Sequence, residues 1–208
     1  HMILEKYAPT TFQYGFHFKR LDHNIYTPII RKEVRKKETS NNGHYTVYLP
    51  SYGEEKIIKN LGSFRKIDWQ VFSKHHQKPV RHKNIKINPL NKDMFLDSIA
   101  TSAGVLCNAG FSTASEALFL NKKLMVVPMK SQYEQWCNAA MLKSMGVKVM
   151  KKLKPKHSDK LKEWLESDHI VDVTYPDETE KILDTIIENH AGKEIDHFAE
   201  NSEYPIFQ

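Results

Sequence analysis

From residue 44 onward the chain alternates between two spacings of apolar residues. Short β-branched or wholly apolar runs predict strands at Tyr45–Leu49, Asp68–Phe72, Asn84–Asn88, Gly104–Cys107, Leu124–Val127 and Val147–Met150. The runs Gly104–Cys107 and Leu124–Val127 carry no polar side chain, the pattern of a strand covered on both faces. Between the strands, apolar positions recur at helical spacing and predict helices at Glu54–Leu61, Asp93–Ser102, Ser112–Leu120 and Gln132–Met145. Two more, Asp159–Glu166 and Glu178–Asn189, follow the last strand. Pro50-Ser51-Tyr52-Gly53 reads as a turn and Gly146 as a helix stop. Strands alternating with helices of this length predict an α/β fold with a doubly wound parallel sheet. Residues 3–43 follow neither period. Phe12, Phe16, Phe18, Ile25, Tyr26, Ile29 and Ile30 make them too apolar to be free, so they read as an ordered connector packed on something, with no sheet of its own.

Composition narrows the class. A chain of 208 residues that is 40% hydrophobic and 11% aromatic can bury a core, which excludes disorder throughout. No run nears the roughly 20 apolar residues a bilayer needs. With only Cys107 and Cys137, a disulfide scaffold is excluded and a reducing, cytoplasmic setting is expected. Neither cysteine has a nucleophile's partners, so both are expected in the core, and Trp136 and Trp164 as packing residues. His1-Met2 resembles a cloning remnant, and no signal segment follows it.

The formal charge of +6 is uneven: residues 1–90 hold 17 Lys and Arg against 7 Asp and Glu, the rest 14 against 18. Such asymmetry points to an anionic partner for the first part. The densest run, Arg31–Lys37, precedes the polar stretch Thr39–Gly43 and reads as a solvated linker. Nucleic acid is not expected, because no stacking motif or zinc spacing accompanies the charge. His75, His76 and His82 lie among Lys74, Lys78, Arg81 and Lys83, which opposes a metal. They read as a surface loop, where Lys74 or His75 could still touch a phosphate or a base. No metal site is expected.

In open parallel sheets, ligands bind beyond the carboxyl ends of the strands. After the fourth strand comes Asn108-Ala109-Gly110-Phe111-Ser112-Thr113-Ala114-Ser115-Glu116. Ala109 and Gly110 let a ligand reach the backbone, and Ser112 and Thr113 open a helix whose free N–H groups favour phosphate. Glu116, in the first turn, is placed to accept hydrogen bonds from adjacent hydroxyls. The structural alternative is a capping box, with Thr113 as N-cap and Glu116 at N3. No GxGxxG, no GxxxxGK[ST] and no Asp-x-Asp metal clamp occurs at the strand ends. One strand-helix unit later, Gln132, Glu134, Gln135 and Asn138 form a set able to read carbohydrate hydroxyls, with Gln135 and Asn138 on one helix face.

The stretch Asn108–Met129, followed by Glu134-Gln135-x-x-Asn138-Ala139, resembles the donor signature of GT-B glycosyltransferases. It is similar both to the nucleotide-sugar box of plant secondary-product enzymes and to the donor half of the bacterial enzyme that adds N-acetylglucosamine to a lipid-linked peptidoglycan precursor. The close match covers residues 104–146, and residues 45–103 match only in element order. The resemblance implies that Glu116 binds ribose hydroxyls and that Gly110, Ser112 and Thr113 hold the diphosphate. Asn108 stands where the plant box has histidine, and Phe111 where it has tryptophan, with packing as its expected role. Glu134 and Gln135 would read the donor sugar, with Asn138 after them and Gln132 beside them. Ser51 resembles the phosphate-side turn, although of its usual glycine pair only Gly53 remains. Leu90 and Asn91 fall near the loop whose backbone reads the base.

The implied organisation is a cloning remnant and interdomain linker at 1–43, a Rossmann-like donor domain at 44–190, and a tail at 191–208 crossing back toward an acceptor-binding N-terminal domain. That domain, which usually carries the catalytic base, is absent, so no catalytic residue is assigned. The chain would be an excised donor half, as His1-Met2 favours, or a natural half that pairs with a separate subunit, as in the split dolichol-linked enzyme of eukaryotes. The implied activity is metal-independent transfer of a hexosyl or N-acetylhexosaminyl group from a nucleotide sugar, UDP first, to an acceptor hydroxyl, with no further cofactor and little turnover by this chain alone. A peripheral membrane surface at the cytoplasmic face is a further candidate partner. A sugar-nucleotide epimerase shares the architecture but needs acid/base residues not found here. From another class, the alternative is a non-enzymatic module binding nucleic acid or membrane through its basic first part, indifferent to Glu116.

Overall fold

The protein is described by a computed structural model over residues 12–191, which divides after Pro176 into two compact units. The first is built on a seven-stranded sheet. Its strands are β3 (Tyr45–Tyr48), β4 (Trp69–Ser73), β5 (Val80–His82), β6 (Ile85–Pro89), β7 (Gly104–Cys107), β8 (Lys123–Val126) and β9 (Lys148–Val149). They lie in the order β5-β6-β4-β3-β7-β8-β9, and all neighbours are parallel except β5 and β6. Without β5 the order is that of a Rossmann sheet, with the chain reversing direction between β3 and β7. The expected doubly wound α/β fold is therefore present.

Alternation along the buried strands divides the core in two. Val105, Cys107, Leu124 and Val126 join one cluster, while Leu106 and Met125 join the other. Helices α3 (Lys92–Thr101), α4 (Phe111–Phe119) and α5 (Tyr133–Ser144) cover the first face. Helices α2 (Glu54–Leu61) and α6 (Ser158–Glu166) cover the second through Ile57, Leu61, Leu161 and Trp164. Burial pushes the Cys107 thiol up to about 12. Two expectations are corrected: Cys137, expected in the core, is exposed on the outer face of α5, and Trp136, expected to pack, is 38% exposed.

Residues 12–43 pack on this body. Phe18, Ile30 and Val34 enter the first core cluster, and the Tyr175 hydroxyl donates to Phe18 O at 2.9 Å. Contrary to expectation, this connector has a small sheet of its own, in which β1 (Gly15–Phe16) pairs with β2 (Ile25–Tyr26), and a one-turn helix, α1 (Lys32–Arg35). The Arg31–Lys37 run is not a solvated linker. Arg35 donates to Ile30 O and Tyr175 O, Lys37 pairs with Asp97, and Glu33 with Lys92.

Apart from half-buried His76, residues 74–83 are exposed as expected, but they contain the strand β5, turned by Lys83 at φ 55°. His76 hydrogen-bonds Glu54 at 2.8 Å. Lys122 and Lys123, at the start of β8, are buried. Lys122 donates to Ser40 O and Ser102 O, and Lys123 to Leu165 O and Ser167 O, capping the end of α6. The second unit contains α7 (Thr179–His190). The tail expected beyond Ala191 lies outside the described residues, and no described helix is long and apolar enough to cross a membrane.

Candidate functional site

The carboxyl ends of β3, β7 and β8 converge where the sheet reverses, and a buried asparagine ties them together. The Ser51 hydroxyl donates to Asn108 Oδ1 at 3.2 Å, and Asn108 Nδ2 donates to Val127 O at 2.6 Å. Asn138 Nδ2 reaches back from α5 to Ala109 O at 3.1 Å and Glu134 Oε1 at 3.4 Å. Gln135 accepts from Met129 N at 3.0 Å and donates to Gln132 Oε1 at 2.7 Å. Asn108, Gln135 and Asn138 are buried, so these amides hold the strand-end loops in place while Ser51, Gln132 and Glu134 face outward.

Helix α4 begins one residue earlier than its hydroxyl residues suggest. Gly110 is the N-cap with no side-chain cap, Thr113 sits at N3, and Glu116 lies in the second turn. The capping box is therefore not formed, and the N–H groups of the first turn stay open to a ligand. Gly110 has φ −73°, which any residue adopts, and a Cβ built there meets nothing within 4 Å. Neither backbone strain nor packing demands glycine; what its missing side chain leaves is open space over the helix N-terminus. Phe111 packs as expected, its ring 5.0 Å from that of Phe18.

Glu116 has a partner that local pattern did not reveal. Arg31 Nε donates to Oε1 at 2.7 Å and Nη2 to Oε2 at 3.1 Å, a two-pronged contact across 85 residues of sequence. The Glu116 side chain is 9% exposed and that of Arg31 41%. The hydrogen bond to Glu116 raises the already very basic guanidinium further. Pro28–Arg31 and Phe95 roof a cavity of about 240 Å³, floored by Phe111, Ser112, Thr113, Ser115 and Glu116. A carboxylate has about four acceptor positions, so Arg31 leaves some free while fixing the plane of the group.

Leu90 and Asn91 follow β6. Asn91 caps α3, its side chain accepting from the N–H groups of Asp93 and Met94, and the backbone N–H groups of Leu90 and Asn91 are both engaged. Of the backbone groups of these two residues, the carbonyl oxygens remain to meet a base edge.

A second, larger cavity of about 830 Å³ opens beside Ser51 and Gln132. Tyr52, Lys56, Lys59 and Asn60 form one wall, Pro128–Lys130, Ser131 and Trp136 another, and Lys151–Pro155 a third. The structure thus divides the sequence-predicted residues: Ser112, Thr113 and Glu116 share the small cavity, whereas Ser51 and Gln132 open on the large one. Arg31 and the cavity lysines were missed. Arg31 was hidden in a charge run, and the lysines come from distant segments.

The sequence profile described as glycosyl transferase family 1 matches residues 3–167. The chain belongs to that family. No curated protein matches it closely. Among solved structures, the glycotransferase of kitacinnamycin superposes with a TM-score of 0.51 at 13% identity, covering 69% of this chain and 42% of that one. UGT89C1 of Arabidopsis thaliana, in complex with UDP, does so with 0.51 at 14% identity, covering 80% and 47%. MurG of Acinetobacter baumannii gives 0.48 at 16% identity, covering 72% and 49%. The chain thus spans less than half the length of each of these structures, and its fold is that of one Rossmann-like half of a GT-B glycosyltransferase.

Proposed function

We propose that this chain is the donor-binding half of a metal-independent glycosyltransferase that takes a nucleoside-diphosphate sugar, UDP first, and works with an acceptor-binding domain or subunit. The observation that carries the proposal is the uncapped α4 N-terminus under open space at Gly110, one turn from a buried carboxylate, at the sheet's reversal point. Family membership supports the same assignment, and the UDP complex of the Arabidopsis protein of similar fold makes uridine the first nucleotide to test.

In this assignment the first-turn N–H groups of α4, with Ser112 and Thr113, hold the diphosphate, and Glu116 accepts from the ribose hydroxyls in an orientation set by Arg31. Glu134 and Gln132 face the hexosyl or N-acetylhexosaminyl group. Transfer forms a bond from the acceptor oxygen to the anomeric carbon and breaks the bond from that carbon to the diphosphate. Charge developing on the leaving diphosphate meets the helix N-terminus, which supplies fixed N–H donors without a metal ion. The base that takes the acceptor proton comes from the acceptor half.

Calorimetric titration with UDP and UDP-N-acetylglucosamine, with and without EDTA, tests the assignment. One saturable site, insensitive to EDTA and weakened in Glu116→Ala, is expected. A folded wild-type chain that binds no nucleoside diphosphate would overturn it.

A further inference from the structure

The larger cavity carries a charge that the donor assignment does not use. Lys56, Lys59, Lys130, Lys151, Lys152 and Lys154 all line it, and all are exposed. Among the described residues, none of the six has a carboxylate within ion-pair distance. Of the nearest acids in sequence, Glu54 is already held by His76 and Ser73, and exposed Glu55 forms no ion pair with any of the six among the described residues. Burial works against ionisation of Glu54, but its hydrogen bonds from His76 and Ser73, together with the charge of His76 and His75, leave its pKa lowered.

The Lys151–Lys154 wall is anchored. Leu153 is buried and its N–H donates to the Tyr52 hydroxyl at 3.0 Å, so the lysines on either side of it are turned outward around a fixed point. Two of the six lysines come from α2, one from the loop after β8 and three from the segment after β9. Like charges gathered in a concave wall repel one another and focus a positive potential, which a polyanion relieves. Tyr52, Pro128, Leu153 and Trp136 supply an apolar floor for an organic group attached to that anion.

We propose that this cavity is a second anion site, separate from that of the donor diphosphate, which takes a phosphate-bearing group of a second ligand. Gln132, on the sugar side of the donor set, and Ser51, of the phosphate-side turn, both border it, so its occupant lies against the donor set; identifying that occupant as the acceptor substrate rests on the donor-half assignment, whereas the anion site does not. A volume of about 830 Å³ accommodates a diphosphate together with an attached ring. Three walls drawn from separate segments make a pocket, unlike the continuous basic stripe that tracks a nucleic-acid backbone.

The chain is first saturated with UDP and then titrated with inorganic pyrophosphate at about 0.15 M salt. A second saturable site is expected. Lys151→Glu/Lys152→Glu/Lys154→Glu should weaken it at least about tenfold while UDP affinity stays within about twofold. A control of equal charge change on exposed lysines elsewhere, Lys143→Glu/Lys160→Glu/Lys162→Glu, should leave both unchanged. Equal weakening in the control, no second site, or loss of UDP binding in the cavity variant would each overturn the proposal. If the wild type binds no UDP, the donor assignment falls, and the pyrophosphate titration without UDP still decides the cavity. Sedimentation with phosphatidylcholine vesicles containing phosphatidic acid, against titration with dissolved glycerol phosphate, separates a lipid headgroup from a free phosphorylated compound. Binding to either that fails in the cavity variant supports the site. Displacement of pyrophosphate by an oligothymidylate would mark a nucleic-acid surface and overturn it.

Discussion

Two cavities open at one end of the same sheet, and they treat charge in opposite ways. Around Glu116 the buried carboxylate meets the Arg31 guanidinium in a two-pronged contact, Glu33 lies 3.8 Å from the same guanidinium, and the connector roofs the cavity. In the larger cavity six ammonium groups face solvent with no carboxylate among them. Paired charge fixes geometry, because each partner limits the rotamers of the other. Unpaired charge of one sign fixes nothing and attracts whatever anion arrives. The small cavity is therefore built for orientation and the large one for capture.

The sharpest way to break that contrast is Gly110→Asp. The new side chain caps α4 and suits its dipole, so Tm should hold or rise, while diphosphate binding should fall by about 100-fold or more. Unchanged UDP affinity in calorimetry would remove the α4 N-terminus from the site. Glu116→Ala follows, with an expected loss of about 10- to 100-fold in UDP affinity, since two ribose hydroxyls lose a charged acceptor.

Arg31→Ala should cost about tenfold if Arg31 orients the carboxylate. Tighter UDP binding in that variant would show instead that the connector blocks the site. The lysine triple variant should change UDP affinity by no more than about twofold, because those lysines serve the other cavity.

The smallest effect is on stability. Burial lowers the pKa of His44 and, with the same sign, of His17, from 6.5. The unfolded chain then takes up protons near pH 6.5 that the folded protein accepts only at lower pH. Their contribution is complete above that value and declines as pH falls below it. Thermal melts between pH 8 and 5.5 should show this fall, and His44→Gln should flatten part of it. Binding measured at low pH must be compared with that baseline.

What was legible in the sequence depended on how far apart the interacting residues lie. β7 and β8 were readable because a strand buried on both faces is a continuous apolar run. β5 was not, because Val80-Arg81-His82 is an exposed edge strand and its turn uses Lys83 where glycine would have been the cue. The start of α4 was misplaced by a single residue: Ser112 and Thr113 look like caps, but the cap is a glycine that has no side chain to signal it. The connector's two-residue strands are shorter than any period can reveal. Arg31 and Glu116 stand 85 positions apart, and no local spacing announces such a pair. The six lysines likewise become a group only when three segments fold to one rim.

The buried pair Lys122 and Lys123 gives these ammonium groups a counterpart. Burial lowers the Lys122 pKa, and the two side chains are tied to four backbone carbonyls. These lysine amines thus fall into two chemical populations, one sealed and one open to an acylating reagent. Brief acetylation followed by peptide mass mapping would mark Lys151, Lys152 and Lys154 at once and leave Lys122 and Lys123 bare until the fold opens. A single labelling time course would then report two things independently: occupancy of the rim, by which lysines an added anion shields, and integrity of the fold, by when the sealed pair begins to react.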